Sequence, residues 1–157
     1  KPLAANAEGV AKLNAAVSAV VQAPTPRAVA PLPETARAIS GKTFVFEPNS
    51  LGMETAGFVF DDSAEASFNL KLSGSELASW PVALDGVYRF FPGEHDLPMG
   101  LRGTWLDDKT FVLEYDNIAN NDHMMLQLRF EGDRLLLQAR ETAHEAGTTI
   151  EGKLQNQ

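Results

Sequence analysis

A chain of 157 residues has room for one modest domain and an appendage, with a core large enough to fold without staples. It contains no cysteine, which excludes disulfide frameworks and cysteine-based zinc or redox sites. A formal net charge of −8 argues against nucleic-acid or anionic-membrane partners, and no apolar run approaches the roughly 20 residues of a membrane-spanning helix.

The chain opens on Lys1 without an initiator Met or an apolar leader, and so reads as a processed piece of a longer protein. Residues 5–22 are rich in alanine and set Val10, Leu13, Val17 and Val20 or Val21 at helical spacing, which predicts an amphipathic helix broken only by Gly9. Its apolar stripe needs a surface to cover it. Pro24, Pro26, Pro31 and Pro33 follow in close succession, so residues 23–38 are expected to be an extended, semi-rigid linker rather than part of a core. The expected division is a helical tail over 1–22, a linker over 23–38 and a β domain over 39–157.

From Ile39 onward the period changes to two. Ala66, Phe68, Leu70 and Leu72 alternate with Glu65, Ser67, Asn69 and Lys71, as in a half-buried strand. Strands are expected over 43–47, 55–60, 64–72, 86–91, 101–106, 110–116, 123–130, 134–142 and 148–154, with turn-forming residues between them. About eight or nine short strands in succession predict an all-β, antiparallel up-and-down barrel, because closure removes both exposed edges. Phe111, Leu113 and Tyr115 share a face with Leu126, Leu128, Phe130, Leu135, Leu137 and Ala139. The opposite face carries Glu114, Gln127, Arg129, Gln138 and Arg140, and Glu114 is expected to pair with Arg129 across neighbouring strands.

Catalytic signatures are missing. The sequence holds no G-x-S-x-G elbow and no S-x-x-K. Tyr115-Asp116-Asn117 matches Y-x-N at the end of a predicted strand, where Tyr115 reads as a core or barrel-mouth aromatic. His95, His123 and His144 stand apart in different segments without metal-ligand spacing, so no metal and no cofactor is expected. Asp61-Asp62 and Asp107-Asp108 lack the loop that calcium needs and fit turn chemistry instead.

The runs ISGKTFVFEPN at 39–49, LRGTWL at 101–106, FVLEYD at 111–116 with NND at 120–122, and FEGDR at 130–134 carry a resemblance. They resemble the C-terminal lipocalin-like domain of β-lactamase-related, penicillin-binding-protein-like serine hydrolases. Gly103-x-Trp105 is similar to the lipocalin G-x-W signature, here in mid-chain. The resemblance implies a serine hydrolase domain upstream in the same polypeptide, a periplasmic or otherwise extracytoplasmic location, and a non-catalytic accessory role in shaping active-site access or assembly. It carries no catalytic residue onto this chain, because the hydrolase motifs would precede Lys1.

A second expectation comes from the barrel itself. A barrel of this size is either packed solid or just able to hold one ligand. Phe44, Phe68, Phe90, Trp105, Phe111, Tyr115 and Phe130 are numerous enough to fill it, so a packed interior is the primary expectation. Were it hollow, it would take a small apolar or amphipathic ligand. Arg89 and Arg102 would then be the groups to meet a ligand carboxylate, with Trp105 and Tyr115 beside them. The helical tail and its linker also suit a helix-swapped homodimer.

Overall fold

The computed structural model describes residues 6–21, 24–93, 96–118, 122–141 and 147–155, with backbone only for 19–21. Helix α1 spans Ala7–Val21, and Asn6 caps it by accepting the Gly9 N–H at 2.9 Å. Val10, Leu13 and Val17 stay more than half exposed, so these three positions of the predicted stripe lie open, and the side chains of Val20 and Val21 lie outside the described residues.

The segment expected to be a linker is corrected at its end. Helix α2 runs Glu34–Ile39, entered from Pro33 at φ −66°, a backbone setting already suited to a helix start. Glu34 in its first turn and Arg37 in its last complement the helix dipole. Leu32, Ala36 and Ile39 are buried in the barrel's own apolar cluster. Ser40 fastens the helix to the sheet, its hydroxyl donating to the Phe60 carbonyl at 2.9 Å and accepting the Phe60 N–H at 2.8 Å. Part of the proline run is also held, since the Arg27 N–H donates to the Asp85 carbonyl at 2.8 Å. The prolines disguised a three-residue apolar anchor, and the core therefore begins at Leu32 rather than 39.

Ten strands follow: β1 Thr43–Phe46, β2 Met53–Phe60, β3 Glu65–Leu72, β4 Ala78–Ala83, β5 Arg89–Pro92, β6 Pro98–Trp105, β7 Thr110–Asn117, β8 Asp122–Glu131, β9 Arg134–Glu141 and β10 Gly147–Leu154. They form one sheet in the order β4-β3-β2-β1-β10-β9-β8-β7-β6-β5. The first and last strands pair in its middle, with Phe44 opposite Leu154. The ring closes where β4 meets β6 in a parallel bridge at Ala83 and Arg102, while β5 pairs with the first half of β6 and wedges into the seam. The expected antiparallel up-and-down barrel is what the chain forms, with this parallel joint as its departure.

Strand β4 has no counterpart among the sequence expectations because Pro81 lies within it. Proline is tolerated there because β4 is almost an edge strand, joined to β6 only at its last residue. Between β8 and β9 a two-residue turn uses Gly132 at φ 64°, which a side chain would strain. The face assignment on β7–β9 stands: Phe111 lies opposite Leu128 and Leu128 opposite Leu137, and all three are buried. The Glu114–Arg129 pair does not form. Arg129 lies opposite Thr110 and Glu114 opposite Met125, four register steps apart. Arg129 pairs instead with Glu131 at 2.7 Å, and Glu114 with Arg102 at 2.6 Å.

Candidate functional site: a half-hollow barrel

The interior divides into two halves. At the end near α2, aromatic rings fill it. Phe111 meets Phe58 and Phe60 edge-on at 5.3 and 5.6 Å, and Trp105 lies 5.1 Å from Phe111 and 5.9 Å from Phe130. Such tilted and edge-to-face contacts are favoured by the ring quadrupoles and leave little space between the side chains. The packing is tight enough to require glycine at 103, where an added Cβ would fall 2.2 Å from the Phe111 ring. This packed floor agrees with the expectation of a filled barrel.

The other half corrects it. Above the floor lies a cavity of about 690 Å³. Strand β3 contributes Phe68, Leu70 and Leu72 to its wall; β6 contributes Met99 and Leu101; β7 contributes Leu113, Tyr115 and Asn117; β8 contributes Met124 and Leu126. Leu51, Met53, Trp80, Pro92, Gly93 and Leu97 complete the lining. Several of these stand at strand ends (Met53 opening β2, Leu72 closing β3, Asn117 closing β7), so the cavity opens at that end of the barrel. The volume falls within the range of roughly 300–1,000 Å³ typical of small-molecule sites.

Of the four residues singled out from sequence, Tyr115 lines the cavity, and its hydroxyl donates to the Met99 sulfur at 3.5 Å. Trp105 belongs to the floor, with its indole N–H buried and without a hydrogen-bond partner among the described residues. Both arginines are engaged away from the cavity. Arg89 sits at the β4–β5 corner, reaching both oxygens of Asp85 (2.8 and 3.3 Å), the Glu65 carboxylate (2.8 Å) and the Val87 carbonyl (3.0 Å). Asp85 is itself buried, and the Arg89 guanidinium holds its carboxyl below the ordinary range. Phe90, expected inside, is 54% exposed, because β5 presents it to the outer wall.

Arg102 also faces outward, within a polar cluster. Its guanidinium lies over the Tyr88 ring, 4.5 Å from the centroid, and donates to Glu114 at 2.6 Å. The same Glu114 oxygen accepts the Tyr88 hydroxyl at 3.3 Å and lies 3.4 Å from His123 Nε2. Burial would push the Glu114 carboxyl up, but the donors Arg102 and Tyr88 outweigh it and hold the group below its usual range. Burial pushes the Tyr88 phenol up to about 12; the Arg102 charge opposes this, and Glu114 and Asp116 add to it. The arrangement pairs Arg102 with Glu114 on the barrel's outside, while the Arg102 Nε is buried without a hydrogen-bond partner among the described residues. His95 and His144 lie outside the described residues.

Sequence reasoning missed Trp80 and the three methionines Met53, Met99 and Met124 that line the cavity. The signal available was methionine recurring at strand ends on the inward parity. Methionine is flexible and polarizable, which suits walls that adapt to more than one occupant.

Neither a family model nor a curated protein matches the chain. Among solved structures, it is similar to the fatty-acid-binding protein isolated from Manduca sexta, at 12% identity and a TM-score of 0.53, over 73% of this chain and 98% of that one. It is also similar to secretory abundant heat soluble protein 4 from Ramazzottius varieornatus, at 8% identity and a TM-score of 0.54, over 65% of this chain and 69% of that one. At these identities the likeness concerns the fold alone.

Proposed function

We propose that the chain is a small-molecule-binding module that holds an apolar or amphipathic ligand inside the barrel. The observation carrying this reading is the cavity of about 690 Å³, walled by leucine, methionine and aromatic side chains above a fully packed floor. A barrel whose interior served only stability would close its upper half as it closes the lower. Likeness in fold to a fatty-acid-binding protein supports the reading, and the ligand named there belongs to that protein.

The test is saturable uptake of the uncharged fluorophore N-phenyl-1-naphthylamine. The parent protein should enhance its emission with one site per chain. Met124→Trp, which adds bulk to the cavity wall, should abolish the enhancement while leaving the circular dichroism unchanged. A bulky change on the far outer surface, Leu106→Trp, should leave uptake intact. Uptake that survives Met124→Trp, or no saturable uptake by the parent, refutes the proposal.

The accessory role beside an upstream serine hydrolase is kept as a second reading. It is favoured by the open stripe of Val10, Leu13 and Val17 on α1, which suits coverage by another surface. Activity of a longer polypeptide toward a small ester, with and without residues 39–157, tests it. Unchanged activity and assembly would remove it.

A further inference from the structure

Resting on the ligand-binding reading, we infer that the ligand is a compact ring-bearing molecule of the polycyclic terpenoid kind rather than an extended alkyl chain, because the cavity is broad and short. Its depth is read from β3 and β7. The lining runs from Phe68 to Leu72 on one strand and from Leu113 to Asn117 on the other. Each run is three inward positions long, roughly 13 Å of strand at about 3.3 Å per residue. Barrel strands tilt by about 35–45°, which makes that span roughly 10 Å along the axis. The next inward residues below, Ala66 and Phe111, are buried in the packed floor.

Spread over a depth of roughly 10–13 Å, the volume of about 690 Å³ has a mean cross-section of roughly 50–70 Å². The ring of strands leads to the same breadth. Nine tilted strands spaced about 4.8 Å apart set opposite backbones roughly 18 Å from each other; facing side chains fill about 10 Å of this, which leaves a lumen about 8 Å wide. Carbon atoms touch at about 3.5–4 Å, so an extended alkyl chain needs only about 20 Å². A lone chain meets one wall and leaves the others without partner atoms, forfeiting their dispersion energy. Coiling it to fill the width orders many torsions, whereas a rigid ring system arrives already ordered.

The facing walls also suit a ring. Phe68 and Trp80 lie opposite in register on β3 and β4 with centroids 6.3 Å apart, and Trp80 stacks on Phe91 at 5.6 Å, so one side of the lumen is aromatic. Met124 stands across from Phe68: β8 is reached from β3 in four steps through β4, β6 and β7, or in five through β2, β1, β10 and β9. A thioether makes favourable contacts with rings and adjusts to their outline.

The experiment sets two isomeric sesquiterpene alcohols, tricyclic cedrol and open-chain farnesol, as competitors of N-phenyl-1-naphthylamine. Both are uncharged with one hydroxyl, and the open chain exposes more apolar area in water, which works against the expected order. Cedrol should displace the probe at concentrations at least about five-fold lower than farnesol. Leu70→Phe narrows the lumen from β3, where the flanking Ala56 and Ala78 let the larger ring be seated without overpacking the sheet. It should cut the cedrol preference at least about three-fold. A smaller advantage for cedrol in the parent overturns the inference and leaves the binding site standing. So does a Leu70→Phe protein, folded by circular dichroism, whose preference falls by less; should that variant not fold, the parent's ratio decides alone. Failure of the probe itself to bind overturns the binding-site reading, and the inference falls with it.

Discussion

Gly103→Ala should be among the most destabilising single-methyl additions to this barrel. The new Cβ would sit 2.2 Å from Cζ of Phe111 and within 2.8 and 3.0 Å of the two adjacent ring carbons. Ordinary contact begins near 3.4 Å, so the ring must retreat by more than an ångström. It has no free direction, because Phe58, Phe60 and Trp105 surround it at centroid distances of 5.1–5.6 Å. Overpacking of this kind costs about 1–3 kcal/mol, and the crowding places Gly103→Ala in the upper part, about 2–3 kcal/mol. For a chain of this size that lowers the melting temperature by roughly 4–12 °C, and the urea midpoint by on the order of 1 M. Urea unfolding followed by circular dichroism measures it. The companion variant Phe111→Leu creates space, so the double variant should cost clearly less than the sum of the two singles. A Gly103→Ala protein within about 0.5 kcal/mol of the parent, or strictly additive costs, would refute the packed-floor account.

Three further outcomes follow from other parts of the molecule. Ile39→Ala should cost about 2–4 kcal/mol because α2 belongs to the core, whereas Leu13→Ser on the open face of α1 should change stability by less than about 0.5 kcal/mol; equal effects in urea would contradict the anchoring of α2. The Glu114 carboxyl is depressed on folding, so its contribution is present above the unfolded carboxylate range and is lost as pH falls through the folded value; Arg102→Met should therefore move acid unfolding to higher pH, and an unmoved midpoint would deny the pair a role. Tyr88, the sole tyrosine in Tyr115→Phe, should ionise near pH 12 by absorbance at 295 nm, and its stabilisation, complete below an unfolded value of about 10, should fade as pH climbs from there to 12; ionisation at 10 would show the phenol to be solvated.

Much of this fold is legible in the sequence wherever a strand has one wet face. The alternation from Glu65 to Leu72 predicts β3 almost to the residue, and the parity along β7, β8 and β9 assigns their inner faces correctly. It fails where a residue carries two meanings. Pro81 reads as a break but sits on a nearly free edge, and Pro33 reads as linker but opens a buried helix. On β6 the inward residues are Met99, Leu101, Gly103 and Trp105, and a glycine in that series hides the parity that would have sent Arg102 outward. The hollow half was legible only as the second expectation, with Tyr115 the one residue named for a ligand that lines the cavity. Whether rings meet across a barrel depends on how the strands tilt and how β5 wedges the seam apart, and neither leaves a mark in composition or period.

The pairing of β1 with β10 places the chain's first and last strands side by side in mid-sheet, while the weakest joint, β4 to β6, falls in the middle of the sequence. Bringing Phe44 to Leu154 closes a loop of about 110 residues, an entropic cost of about 4 kcal/mol beyond the constant term. The barrel is thus already cut at a place the chain runs straight through. A circular permutant that joins the C-terminal end to Leu32 by a flexible bridge, so that α2 is kept, and opens between β4 and β5 would shorten that long-range closure and set its new ends at the existing gap. It should fold faster than the parent into the same ring, with the seam no longer tied by a covalent strap.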